Sequence, residues 1–167
     1  ESEPNNSVAR ANYLPLGDTM QGSASTKDSW QSDNDYYRFE VPSNGRLTVD
    51  FTYPNRGAGD AYYVRILNAS GEEVYGFDLG GVDGDGKYVK NYSMFVGQGT
   101  WYIKIDAHSS WASWGATYNL TITHQAGLVE TEFNNSTAKA NLLTLGKTLQ
   151  GSASTKDSWQ SDNDYYR

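Results

Sequence analysis

One stretch constrains this chain more than any other: GSASTKDSWQSDNDYYR fills residues 22–38 and returns, letter for letter, at 151–167. The offset is 129 residues, and at that offset ESEPNNSVARANYLPLGDTMQ (1–21) faces ETEFNNSTAKANLLTLGKTLQ (130–150). Self-similarity at a fixed period marks a tandem array. The 167 residues therefore hold one whole repeat, 1–127, then a linker and the start of a second, near-identical one, 128–167. A repeat of roughly 125 residues is an ordinary size for one hydrophobic core. The opening residues are polar and acidic, without the basic and then apolar run of a secretory signal. The chain is thus expected to have lost a signal or to be a piece of a longer protein.

Inside the repeat the apolar pattern has period two, broken by Gly, Pro and Asn, which predicts strands. They fall at Tyr36–Val41, Arg46–Thr52, Ala61–Leu67, Glu73–Phe77, Lys90–Val96, Thr100–Asp106 and Thr117–Thr123. Turn-forming residues separate them at 42–45, 68–71, 80–86 and 97–99. Short strands at this spacing predict an all-β fold: an antiparallel β-sandwich, jelly-roll-like. With 13 Tyr, 5 Trp and 5 Phe, its core should be rich in tyrosine. The pattern leaves Ser7–Leu16, and its copy Ser136–Leu145, open between helix and irregular chain.

Charge and composition exclude several functions. Against 13 basic side chains stand 20 acidic ones, a net charge of −7, so no basic face is available for nucleic acid. No apolar run approaches the roughly 20 residues of a membrane-spanning helix. Cysteine is absent, which removes disulfides and thiolate metal sites.

The strongest chemical signal opens the repeat: Glu1, Glu3, Asn5 and Asn6, followed by Asp28, Asp33 and Asp35. In extended chain Glu-x-Glu-x-Asn puts its oxygen side chains on one face. Calcium takes about six to eight such hard oxygens. On composition alone, solvated surface carboxylates explain the cluster equally well. The same set recurs at Glu130, Glu132, Asn134, Asn135, Asp162 and Asp164. Asp83-Gly84-Asp85-Gly86 reads as a glycine-rich turn, because an EF-hand would need a glutamate where Met94 stands.

The run E-x-E-x-N-N, then T-M-Q-G-S, D-x-D-Y-Y-R-F-E-V, G-x-W-Y and a closing Y-N-L resembles the bacterial pre-peptidase C-terminal domain. Within that family it is most similar to the collagen-binding domain of clostridial collagenases, over roughly residues 1–124. The resemblance implies a jelly-roll-like sandwich secreted as an accessory module, with an N-terminal calcium-binding linker segment folded onto it. Carried over by position, it implies Glu1, Glu3, Asn5, Asn6, Ser23 and Asp35 as calcium ligands. Ser32 stands where the relatives have a further aspartate, and Asp33 or Asp28 is expected to substitute. In the second copy the metal candidates are Glu130, Glu132, Asn134, Asn135, Ser152, Asp162 and Asp164.

Trp111 and Trp114 lie in a polar stretch between the last two strands. Exposed indoles usually have a partner, here a sugar ring or a fibrous protein. Folding back to cap the sandwich explains them as well. The resemblance adds Tyr75 as a ligand-binding residue and Ile103 in place of a leucine. It also sets Asp106 and Arg65 where the relatives have a key tyrosine and a threonine, which argues against collagen itself. Catalysis has little support: His108, Asp106 and Ser109 are neighbours only in sequence, and triads are defined by geometry. The chain therefore reads as no enzyme. It is expected to be a secreted or cell-surface, calcium-stabilised module that adsorbs to an extracellular polysaccharide or fibrous protein beside a catalytic domain. The rival is a calcium-rigidified spacer repeat without a ligand. The start of the second copy, having the first copy's sequence, also fits the first copy's slot, which predicts a strand-exchanged dimer.

Overall fold

A computed structural model describes residues 1–23, 26–28, 31–32, 34–54, 62–79, 87–107, 117–130, 136–151 and 164–167. Among the described residues eleven strands follow in chain order: β1 Asn12–Tyr13, β2 Thr19–Gly22, β3 Thr26–Asp28, β4 Gln31–Ser32, β5 Asn34–Val41, β6 Gly45–Pro54, β7 Tyr62–Leu67, β8 Glu73–Leu79, β9 Lys87–Val96, β10 Gly99–Ala107 and β11 Tyr118–Ala126. All seven strands predicted from the alternation are present, several of them longer than expected. One sheet has the order β1-β5-β10-β7-β8 and the other β2-β11-β6-β9, while β3 and β4 pair by themselves. Only β1 with β5 is parallel among these pairs.

From β5 onward only β7 and β8 follow each other within one sheet; at every other step the chain crosses to the opposite layer. Inward-facing residues of both layers then form one core: Tyr37 and Phe39 of β5, Val49 and Phe51 of β6, Ile103 and Ile105 of β10, Leu120 and Ile122 of β11, all fully buried. Each such side chain contributes roughly 1.5–3 kcal/mol through removal from water. At one end the core is aromatic. Phe51 stacks on Tyr118 at 4.9 Å, and Tyr62 meets the edges of Phe51, Tyr53 and Tyr118 at 5.1–5.6 Å.

The segment Ser7–Leu16 is neither helix nor loose chain. A single 3₁₀ turn, Val8–Arg10, leads into β1, which runs parallel to β5. Leu14 is then fully buried in the core. The second copy repeats this with the 3₁₀ turn Thr137–Lys139 and a parallel bridge from Asn141 to Tyr166.

Candidate metal centre

Residues 1–6 lie across the head of the sandwich and are tied to it along their length. The Glu1 ammonium donates to the Gln21 carbonyl at 3.1 Å. Ser2 and Asn12 exchange two bonds, at 3.0 and 3.1 Å. Tyr36 N–H donates to the Asn5 carbonyl at 3.1 Å, which fastens the segment to the start of β5. Between Glu3 and Asn5 the backbone turns through a cis Glu3–Pro4 peptide, and Asn5 N–H donates to Glu3 Oε2 at 3.0 Å.

These ties bring Glu1, Glu3 and Asp35 together, with one carboxylate oxygen of each within 4.8 Å of the others. Glu1 and Glu3 face solvent, whereas Asp35 is fully buried at the floor. Asn5 is also fully buried. Ser23 joins the cluster through its backbone, donating its N–H to Glu1 Oε1 at 2.7 Å. Asn6 follows on the exposed side of the segment. Five of the seven first-copy candidates thus converge on one place: Glu1, Glu3, Asn5, Ser23 and Asp35. Asp33 lies outside the described residues.

Two tyrosines, unforeseen from the sequence as part of the site, support the carboxylates from the core side. Tyr37 donates to Glu1 Oε2 at 2.5 Å and Tyr118 to Asp35 Oδ2 at 2.5 Å. Their hydroxyls are 2.7 Å apart. Three close oxygen contacts thus share only two hydroxyl hydrogens. Burial in the first place, and the adjoining carboxylates after it, push both phenols well above the usual tyrosine range, so both stay protonated. The result is a donor set with a surplus of acceptor oxygen, containing no histidine or cysteine. That surplus suits a hard cation. Gly22 leaves the necessary room: a Cβ there would stand 2.5 Å from Glu1 Oε2, Tyr37 OH and Tyr118 OH alike. A tyrosine at an inward strand position must find a partner for its hydroxyl, and that is the one signal that could have marked Tyr37 and Tyr118.

The second copy rebuilds the same corner. Glu130 is fully buried and accepts from Tyr166 OH at 2.7 Å, as Glu1 accepts from Tyr37. Glu130 Oε2 and Tyr166 OH both stand 2.7 Å from a Cβ placed at Gly151. Asp164 is half-buried nearby in sequence, while Glu132, Asn134, Asn135, Ser152 and Asp162 lie outside the described residues.

The ligand candidates fare differently. Trp111 and Trp114 lie outside the described residues. Tyr75 is 3% exposed, belongs to the core, and donates its hydroxyl to the Phe95 carbonyl at 3.2 Å. It cannot meet a polymer, which corrects its assignment. Tyr75 pairs with buried Ile66 and faces inward in alternation with Phe77, while the irregularity of β8 falls at Val74. Ile103 is likewise a core residue. Asp106 and Arg65 meet on the outer face of β10 and β7, where Arg65 Nε donates to Asp106 at 2.8 Å and another guanidinium nitrogen to Glu73 at 2.9 Å. Lys104 pairs with Asp106 at 2.6 Å.

Fold and site together define an antiparallel sandwich module headed by an acidic, oxygen-rich clasp. Residues 33–107 match the family model of the bacterial pre-peptidase C-terminal domain. No curated protein matches the chain. Among solved structures, the chain is similar to the pre-peptidase C-terminal domain of a Bacillus anthracis collagenase (TM-score 0.47, 18% identity, covering 74% of this chain and 100% of that one). It is also similar to a periplasmic inhibitor of g-type lysozyme from Aeromonas hydrophila (TM-score 0.40, 13% identity, 69% and 97% covered). A third is a family 35 carbohydrate-binding module from Cellvibrio japonicus (TM-score 0.40, 15% identity, 62% and 77% covered). Among the described residues no helix is long and apolar enough to cross a membrane.

Proposed function

We propose that this chain is a calcium-stabilised, non-catalytic binding module of a secreted bacterial protein, which holds that protein or an attached hydrolase on an extracellular polymer. The match of residues 33–107 to the pre-peptidase C-terminal family supports the accessory role. The observation that carries the calcium reading is the convergence of Glu1, Glu3 and Asp35, drawn from opposite ends of a 35-residue stretch onto one spot. Those three carboxylates would hold the ion, with Asn5, Asn6, Ser23 and Asp33 completing the oxygen set. Glu130, Glu132, Asn134, Asn135, Ser152, Asp162 and Asp164 would do the same in the second copy. A bound calcium supplies the positive charge that three gathered carboxylates lack, so it favours the closed clasp over the open one.

Because the ion binds only the folded clasp, calcium at a hundredfold excess over its dissociation constant adds about 2.7 kcal/mol of stability. The expected result is a higher melting temperature in millimolar calcium than in chelator, with the difference lost in Asp35→Asn. An unchanged melt overturns the calcium assignment.

The polymer-contacting surface is assigned to Trp111 and Trp114, with Tyr75 withdrawn. Co-sedimentation with insoluble polysaccharides and collagen, in calcium and in chelator, tests adsorption. Pull-down by one polymer, abolished when both tryptophans become alanine while the melt is unchanged, is the expected result. A second reading, a spacer that binds nothing, is favoured by the recurrence of the Glu1–Tyr37 corner at Glu130–Tyr166. Recovery of the folded protein in every supernatant would select it.

A further inference from the structure

The passage from the first sandwich to the second copy is only four residues, and each is engaged. Gly127 N–H donates to the Asn44 carbonyl at 3.1 Å, in the turn between β5 and β6. Asn44 is itself held, since its side chain accepts from Gln98 N–H at 2.9 Å in the turn between β9 and β10. On the other side, Gln150 N–H donates to the Leu128 carbonyl at 3.0 Å, and Glu130 N–H to the Gln150 carbonyl at 2.9 Å. Val129 bridges to Gln150 and is 5% exposed, unusual for a valine in a connector. An open cleft of about 370 Å³ runs alongside, lined by Arg46 and Gln125 of the sandwich and by Thr148 and Gln150 of the second copy.

The opening of the second copy is ordered in the manner of the first. Leu143 N–H donates to the Arg167 carbonyl at 2.8 Å, as Leu14 N–H donates to that of Arg38 at 2.9 Å. Lys139 N–H to Ser136 O repeats Arg10 N–H to Ser7 O, at 3.0 and 2.9 Å. Gly146 takes the positive φ of Gly17, 74° against 88°. A preformed unit therefore stands at each end of the four-residue passage.

We infer that consecutive repeats meet in a fixed joint: residues Gly127–Glu130 lock the Asn44 end of one sandwich to the Gln150 edge of the next copy of the repeat. The partner of that end is another copy of this repeat. The bonds of the passage are made by the backbone and use no carboxylate, that of Glu130 included, so the joint does not depend on a cation in either clasp.

Because the chain lacks cysteine, Thr123→Cys with Leu142→Cys, both exposed positions, places one spin label on each side of the joint. Double electron–electron resonance on the 167-residue chain is expected to give one narrow distance, the same in calcium and in chelator. A broad distribution, or one that is narrow only with calcium, overturns the joint as described. Gly127→Pro removes the donor to Asn44 and follows the strand residue Ala126, whose extended backbone tolerates a succeeding proline. It is expected to widen the distribution by about twofold or more, as a freed linker would; an unchanged width would discard the Gly127–Asn44 bond as the lock. Amide exchange in the unsubstituted chain gives an independent measure: protection at Gly127 and Gln150 is expected, and exchange at the rate of an open loop would overturn the proposal.

Discussion

Tyr118 reaches Asp35 from the last strand of the sandwich, and the two are separated by 83 positions in the chain. Tyr118→Phe keeps the ring and its stacking on Phe51 but leaves a fully buried carboxylate without that donor. An unsatisfied buried acceptor costs about 1–3 kcal/mol, so the urea midpoint is expected to fall without a change in the slope of unfolding. If the calcium assignment holds, the same variant also weakens the calcium-induced shift of the melt. The acidic members of the site are legible in the sequence because Glu-x-Glu-x-Asn gathers oxygen-bearing side chains at short range. Tyr37, Tyr118 and Gly22 are not, since nothing local says that the ends of β2, β5 and β11 come to one point. Tyr75 shows the opposite failure: the resemblance set it on a contact surface, whereas its alternation with Phe77 opposite Ile66 and Val64 turns it into the core.

At the scale of elements, alternation is a reliable guide wherever a strand has one wet face, as in β5 and β11. The two-residue β1 could not be read this way, because it exists only by pairing with a strand more than twenty residues later. The outer face of the larger sheet carries its own ties. Arg65 on β7 spans Glu73 on β8 and Asp106 on β10, joining three strands with one guanidinium. Arg65→Ala leaves the two acids without it and is expected to cost about 1–2 kcal/mol in a denaturant titration. Arg65→Lys should recover only part of that, since an ammonium cannot present two nitrogens to two separate carboxylates.

For the whole molecule, the buried phenols of Tyr37 and Tyr118 set a limit on the alkaline side. Their pKa values are raised in the folded state, first by burial and then by Asp35 and Glu1. The unfolded chain releases these protons near the ordinary value of about 10, while the folded one keeps them. Their contribution to stability is therefore constant below that value. Above it, each phenol removes about 1.4 kcal/mol per pH unit, and the share of tyrosinate absorbance that Tyr37→Phe or Tyr118→Phe removes is expected to appear together with unfolding rather than before it. That share appearing in a protein that is still folded would show the substituted phenol to be exposed.

The clasp also decides where force would travel. In an array of such repeats, a pull enters at the position of Glu1 and leaves through β11. Glu1 is fastened to Gln21 on β2, and β2 lies beside β11 with Gly22 opposite Tyr118. The load path is then one lateral step long, from the clasp through β2 to β11. Only the ties of residues 1–6 to β5 and of Gly127 to the turn after it lead off that line, so tension would be carried largely in shear between β2 and β11.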